Sequence, residues 1–172
     1  MSDQLKNAIR DVPDFPIKGI LFKDITPILQ DPKLFRLAVD TLADRHAGKN
    51  LKAVVGIDAR GFIFAGAVAY KLGIGFIPVR KKGKLPWKTV VTSYTLEYGS
   101  ETSEMHIDAL AKGDNVVIVD DLLATGGTAM AAATLVNNLG GKIVEIDFLI
   151  ELAFLKGRER LKDYPVFSAL AY

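Results

Sequence analysis

Two adjacent carboxylates, Asp120 and Asp121, follow the run Val116, Val117, Ile118, Val119 and precede Leu122, Leu123, Ala124, Thr125, Gly126, Gly127 and Thr128. Four β-branched residues in a row read as a buried strand. The strand then delivers two acids at its C-terminal end, where open α/β sheets place their ligands. The glycines let backbone wrap closely around an anion, and a helix beginning at about Thr128 offers unpaired N–H groups. Thr125 and Thr128 add hydroxyls. The expected occupant is a phosphate monoester. The acids would repel a bare anion but suit vicinal hydroxyls or a developing positive charge, and a ribose 5-phosphate meets both demands. No Lys follows the glycines, so the loop is not of the Walker type. The plainer alternative is a glycine-rich turn beside two exposed acids.

Four other clusters are chemically suggestive. Asp58, Ala59, Arg60 and Gly61 follow an apolar run, so a second strand end meets a helix start. Arg60 carries a planar fork matched to phosphate oxygens. Asp58 is able to cap the helix there, and in the plainer reading Arg60 is merely solvated. Arg80, Lys81, Lys82, Lys84 and Lys88 crowd one stretch broken by Gly83 and Pro86. On pattern alone the ordinary meaning of such a run is a solvated face or a nucleic-acid patch. Glu97 and Tyr98 sit in a β-prone segment, where a surface role is the ordinary one. Phe22, between Leu21 and Lys23, offers either a face for stacking a planar base or ordinary core. His46 and His106 lack metal-ligand spacing and read as structural or exposed.

The elements that must position these groups alternate. Residues 33–46 are periodic like a helix, restarted by Asp31 and Pro32. Residues 53–57 read as a buried strand, 62–72 as a helix ended by Gly73, and 76–79 as a strand. Residues 116–119, 128–139 and 143–149 repeat strand, helix, strand. Such alternation implies a mostly parallel sheet flanked by helices. An opening helix runs from Ser2 toward Arg10, followed by an irregular stretch punctuated by Pro13, Pro16, Gly19 and Pro27. Residues 89–98 and 105–107 read as an antiparallel excursion, with the polar residues 99–104 as a turn between them.

The chain has 172 residues, 49% of them hydrophobic, with 22 Lys and Arg against 20 Asp and Glu. That fits one domain with a packed core and no disordered composition. A net charge of +2 excludes a polycationic nucleic-acid coat. The lack of Cys excludes disulfides, thiolate metal sites and a Cys nucleophile. No apolar run reaches the ~18 residues of a membrane span, and residues 1–6 lack the pattern of a secretory signal. A soluble cytoplasmic protein is expected.

The segment from Val119 to Thr128 resembles the phosphoribosyl-pyrophosphate-binding motif of the type I phosphoribosyltransferases. Residues 14–27, 56–62, 80–86, 93–99 and 151–158 agree in order and spacing, so the resemblance covers essentially the whole chain. It implies that family's α/β fold: a central mostly parallel sheet flanked by helices, a small N-terminal hood (about 1–32) and a flexible antiparallel flap (about 80–105), all in one domain, 1–172. It implies transfer of the phosphoribosyl group to N9 of adenine, giving AMP and pyrophosphate. In that reading Ala124, Thr125, Gly126, Gly127 and Thr128 hold the 5′-phosphate, and Asp120 and Asp121 the ribose hydroxyls. Asp58, Ala59, Arg60, Arg80, Lys81 and Lys84 meet the diphosphate, with a cis peptide at Asp58–Ala59. Phe22 packs on adenine while backbone of Leu21 and Lys23 reads its edge. Glu97 becomes the acid/base and Tyr98 shields the reacting centre. Trp87 stands where a smaller residue is expected. The resemblance further implies Mg²⁺ carried by the diphosphate, no metal held directly by protein, no nucleic-acid or membrane partner, and a homodimer, for which residues 62–72 offer apolar surface. A xanthine- or guanine-type purine specificity stays open, as does a purine-responsive regulator, although the chain shows no evident helix-turn-helix.

Overall fold

A computed structural model describes residues 2–96 and 99–172. In chain order the elements are α1 (Ser2–Ala8), β1 (Arg10–Pro13), β2 (Leu21–Asp24), α2 (Thr26–Gln30), α3 (Pro32–Ala43), β3 (Ala53–Ile57), α4 (Gly61–Leu72) and β4 (Gly75–Lys81). Then follow β5 (Thr89–Leu96), β6 (Gly99–His106), β7 (Asn115–Leu123), α5 (Gly127–Asn138), β8 (Lys142–Glu151), α6 (Gly157–Arg160) and β9 (Val166–Ala171). Short 3₁₀ turns cover Asp44–His46 and Ala153–Leu155.

Seven strands form one sheet in the order β5-β6-β4-β3-β7-β8-β9. The pairs β3–β4, β3–β7, β7–β8 and β8–β9 are parallel, while β6 runs antiparallel to β4 and β5. The expected mostly parallel sheet with an antiparallel extension is therefore present. Both faces of its centre are covered, and the two-residue period of a strand explains how. Val54, Val117 and Val119 point into a core with Ala38, Leu42, Phe64 and Val68 of α3 and α4. Val55, Val116 and Ile118 point to the opposite core with Ala132, Leu135 and Val136 of α5. Fully burying one Val or Ile side chain is worth about 1.5–3 kcal/mol, so this central layer is the main apolar contribution to the fold.

Asp31 caps α3 as its sequence position suggested, accepting from the N–H of Lys33 at 2.8 Å and Leu34 at 3.0 Å. Those N–H groups, Leu34 first, hold its carboxyl below the usual carboxylate range. Three readings need correction. The opening helix stops at Ala8, and Arg10–Pro13 then pairs with Leu21–Asp24 in a separate two-stranded antiparallel sheet. Residues 99–104 are not a turn but most of β6, which pairs with β5 from Thr89 opposite His106 to Leu96 opposite Gly99. Polar residues suit this strand because it uses their side chains: Glu104 is buried and accepts three hydrogen bonds from residues 84–89. Third, β9 adds a parallel edge beside β8 that the sequence pattern does not predict.

His46 is buried against β8. Its Nε2 lies 2.6 Å from Asp147 Oδ2, and Lys49 Nζ lies 3.4 Å from its Nδ1. An ammonium only donates, so Nδ1 accepts and Nε2–H donates to Asp147. The pair ties the turn after α3 to the sheet, the structural role expected for this histidine.

Candidate active site

Strand β7 is buried from Val116 to Val119 and then releases its two acids beside the loop that leads into α5. A cavity of about 160 Å³ opens there, lined by Asp120, residues 122–129 and Phe148. Every residue predicted to hold a phosphate monoester, Ala124 to Thr128, lines it. The residue that caps helix α5 is Gly126, which has φ +79° and supplies no side-chain cap. The N-terminus is thus left to an outside acceptor, which is what an anion seat needs. Gly126 also lies against the carbonyl of Gly157, leaving no room for a side chain. The segment behind it is clamped by Arg158, whose Nε donates to both oxygens of Glu151 at 2.8 and 2.9 Å.

The two acids differ. Asp121 is buried, and its Oδ2 lies 2.9 Å from Arg60 Nε. Asp120 is half-buried and accepts from the Asp121 N–H at 2.9 Å. Desolvation, followed by the neighbouring charge of Asp121, pushes the Asp120 carboxyl well up. Desolvation also raises Asp121, but Arg60 opposes it. The two carboxyls therefore titrate as one unit, with Arg60 favouring the negative charge on Asp121. Gly61, at the start of α4, packs against Asp120 so closely that a side chain there would collide with its carboxylate.

Arg60 sits at the N-terminal end of α4, and its guanidinium carbon lies 5.2 Å from the centre of the Phe22 ring. One cation therefore stands between the aromatic of β2 and the carboxylate of β7. The Asp58–Ala59 peptide is cis, as the resemblance implied. Asp58 does not cap α4. Its Oδ2 instead accepts from Arg80 Nε at 2.7 Å, so it serves the basic cluster. A second cleft of about 110 Å³ is lined by Ile57, Asp58, Val79, Arg80, Lys81, Glu101, Ser103 and Thr128. Thr128 lines both clefts, so they adjoin at the start of α5.

The other predicted residues divide. Lys81 pairs with Glu101 at 2.7 Å, and Lys84 is exposed on the loop between β4 and β5. Phe22 is half-buried, with Phe15 edge-on at 5.1 Å, and Leu21 is exposed. The Lys23 side chain turns away from Phe22, as strand alternation requires. It meets Asp11 at 2.6 Å and lies 4.0 Å from the centre of the Tyr172 ring. Glu97 and Tyr98 lie outside the described residues. Trp87 is exposed, with φ +70°. Among the described residues His46, Glu145 and Asp147 bring potential metal-ligand atoms within 4.8 Å of one another, but none of them lines either cleft.

The model of the phosphoribosyl transferase domain family matches residues 25–169. A Roseiflexus adenine phosphoribosyltransferase (strain RS-1) is 56% identical over 172 residues, covering all of both chains. The adenine phosphoribosyltransferase structure from Thermoanaerobacter pseudethanolicus superimposes with a TM-score of 0.96 at 49% identity, again covering all of both chains. The Saccharomyces cerevisiae adenine phosphoribosyltransferase, solved with an imino-altritol bisphosphate and adenine, gives 0.92 at 43% identity, covering 98% of this chain and 97% of that one.

Proposed function

The chain belongs to the phosphoribosyl transferase domain family, and from that membership we propose that it transfers the 5-phosphoribosyl group of phosphoribosyl pyrophosphate to N9 of adenine, a purine-salvage step giving AMP and pyrophosphate. The observation that carries this reading is Arg60, 2.9 Å from the Asp121 carboxylate and 5.2 Å from the Phe22 ring. Base, sugar and diphosphate have to converge on such a point.

In this reading the 5′-phosphate occupies the cradle of residues 124–128, and Asp120 and Asp121 take the ribose hydroxyls. Adenine lies on Phe22, with backbone of Leu21 and Lys23 at its edge. The Lys23 side chain takes no part, being engaged by Asp11. Arg60, Arg80, Lys81 and Lys84, with backbone at Asp58 and Ala59, receive the diphosphate. The C1′–oxygen bond to the diphosphate breaks with its electron pair leaving on pyrophosphate, and the N9 lone pair forms the new bond to C1′. Positive charge grows on the ribose beside the carboxylates while negative charge grows beside the cations. Charges placed in advance in this way are usually a major catalytic term. Glu97 takes the N9 proton and Tyr98 shields the centre.

The paired carboxylates and the adjoining anion seats fit a Mg²⁺ that arrives on the diphosphate, since this ion prefers phosphate oxygens and retained waters to an all-protein cage. When bound it supplies charge neutralisation to the departing pyrophosphate. Residues about 1–32 act as a hood over the base, and about 80–105 as a flap closing over the diphosphate. The protein works in the cytoplasm as a homodimer. No helix among the described residues is long and apolar enough to cross a membrane.

The test incubates the protein with phosphoribosyl pyrophosphate, Mg²⁺ and each purine base separately. AMP from adenine, lost on chelation with EDTA, is the expected result. Turnover of guanine or xanthine in its place, or no nucleotide at all, overturns the reading.

A further inference from the structure

The cations of the Arg80–Lys88 loop need a fixed base if they are to meet a diphosphate in one arrangement. Glu104 on β6 provides it. Its residue is 3% exposed and pairs in register with Arg80 on β4. One carboxylate oxygen accepts from the backbone N–H of Lys84 at 2.9 Å and of Leu85 at 2.8 Å. The other accepts from the Thr89 hydroxyl at 3.0 Å. The same loop is also held by Arg80, whose Nη1 donates to the Lys84 carbonyl at 3.1 Å. Arg80 is itself held by Asp58 at 2.7 Å. A continuous chain of contacts thus runs from the loop before α4, through Arg80 and the backbone of Lys84, to Glu104.

We infer that Glu104 is a positioning residue that sets the 82–88 loop, and through it Arg80 and Lys84, in the arrangement that receives a diphosphate. This rests on the function proposed above. A buried carboxylate accepting several hydrogen bonds is ionised as well as fixed. Burial raises the Glu104 pKa, but the N–H of Leu85, the Thr89 hydroxyl and the N–H groups of Lys84 and Gly83 outweigh it and hold the group below the ordinary glutamate range. Its charge is therefore present throughout the neutral range. An alanine would leave two backbone donors and a hydroxyl to find new partners, and the loop would lose its template.

Trp87 is the single tryptophan and lies within this loop, 65% exposed. Its fluorescence reports the loop without reference to turnover. The experiment compares wild type, Glu104→Ala and Glu104→Gln by Trp87 emission and anisotropy, by calorimetric binding of Mg²⁺–pyrophosphate, and by steady-state kinetics. The glutamine keeps an oxygen for the Lys84 and Leu85 donors while losing the charge. In Glu104→Ala, Trp87 anisotropy falls, pyrophosphate affinity and kcat/KM for phosphoribosyl pyrophosphate drop ~10–100-fold, and the KM for adenine stays within about twofold. Glu104→Gln recovers most of each change, and that recovery separates positioning from general structural damage. Unchanged Trp87 anisotropy in Glu104→Ala, unchanged pyrophosphate affinity, or equal losses for adenine and diphosphate overturn the inference. A wild-type protein that binds no pyrophosphate overturns it as well. A wild type that binds pyrophosphate but forms no AMP overturns the proposed function alone.

Discussion

At the scale of single residues, the two acids at the end of β7 show how a site costs stability. Both carboxyls are raised mainly by desolvation. A carboxyl whose folded pKa lies above its unfolded one opposes folding when ionised, and that cost is absent at pH values below the unfolded pKa, about 4. Asp120→Asn keeps an acceptor for the Asp121 N–H and leaves the Arg60–Asp121 pair in place. Its melting temperature at pH 7 should therefore exceed wild type by about 2–4 °C, the shift that roughly 1 kcal/mol gives a chain of this size. The difference should vanish near pH 4. Turnover moves the other way: with both acids changed to Asn, it should fall at least ~100-fold at saturating substrate, the scale of losing a preorganised electrostatic partner. Calorimetry and single-turnover kinetics on the same samples read both effects. A double variant with wild-type turnover would remove the ribose assignment. The acids themselves were legible from the strand before them. The Arg60–Asp121 contact was not, because it joins the start of α4 to β7 through residues about sixty positions apart and leaves no local pattern.

At the scale of elements, legibility followed burial. Strand β3 was predicted with its observed ends because all five of its residues are apolar and buried. Helices α4 and α5 were placed within a residue at each end. The segment 99–104 was misread because its pairing rests on tertiary partners: Glu104 against the loop, Ser103 buried, Lys81 reaching Glu101. The β1–β2 pair was missed because Arg10, Asp11 and Pro13 are exposed and carry no apolar alternation. The phosphate cradle is where an element's own geometry is the functional part. Gly126 holds φ +79° and abuts the Gly157 carbonyl, so Gly126→Ala meets both a left-handed backbone penalty of about 1–2 kcal/mol and a collision. The expected outcome is a ~10-fold or greater loss of ribose 5-phosphate affinity, with pyrophosphate affinity within about twofold of wild type. Calorimetric titration with each ligand checks this, and equal loss of both would mean that the two anion seats are not separately built.

At the scale of the whole molecule, a net charge of +2 hides a separation. Cations gather at Arg60 and along 80–88, and acids at the end of β7. That opposition suits a substrate whose leaving group becomes anionic as its sugar becomes cationic. The composition cannot show it, because a sum carries no positions. The proposed homodimer was equally hidden, yet α4 offers a surface for it. Its inner face buries Phe64, Ala65, Val68 and Ala69, while Ile63 and Tyr70, seven residues apart, share the outer face. Tyr70 is 90% and Ile63 41% exposed, and Gly66 between them leaves open space. A stable dimer buries roughly 800 Å² on each partner, and the apolar groups along helix α4 would place that surface on the helix that Arg60 opens. Sedimentation at micromolar concentration should give the mass of two chains. Ile63→Glu with Tyr70→Glu should give one chain, with an unchanged far-ultraviolet spectrum. Since Arg60 begins the same helix, the monomeric variant should also lose affinity for pyrophosphate. A wild-type monomer would refute the interface, and a monomeric variant with full affinity would show that the two ends of α4 act independently.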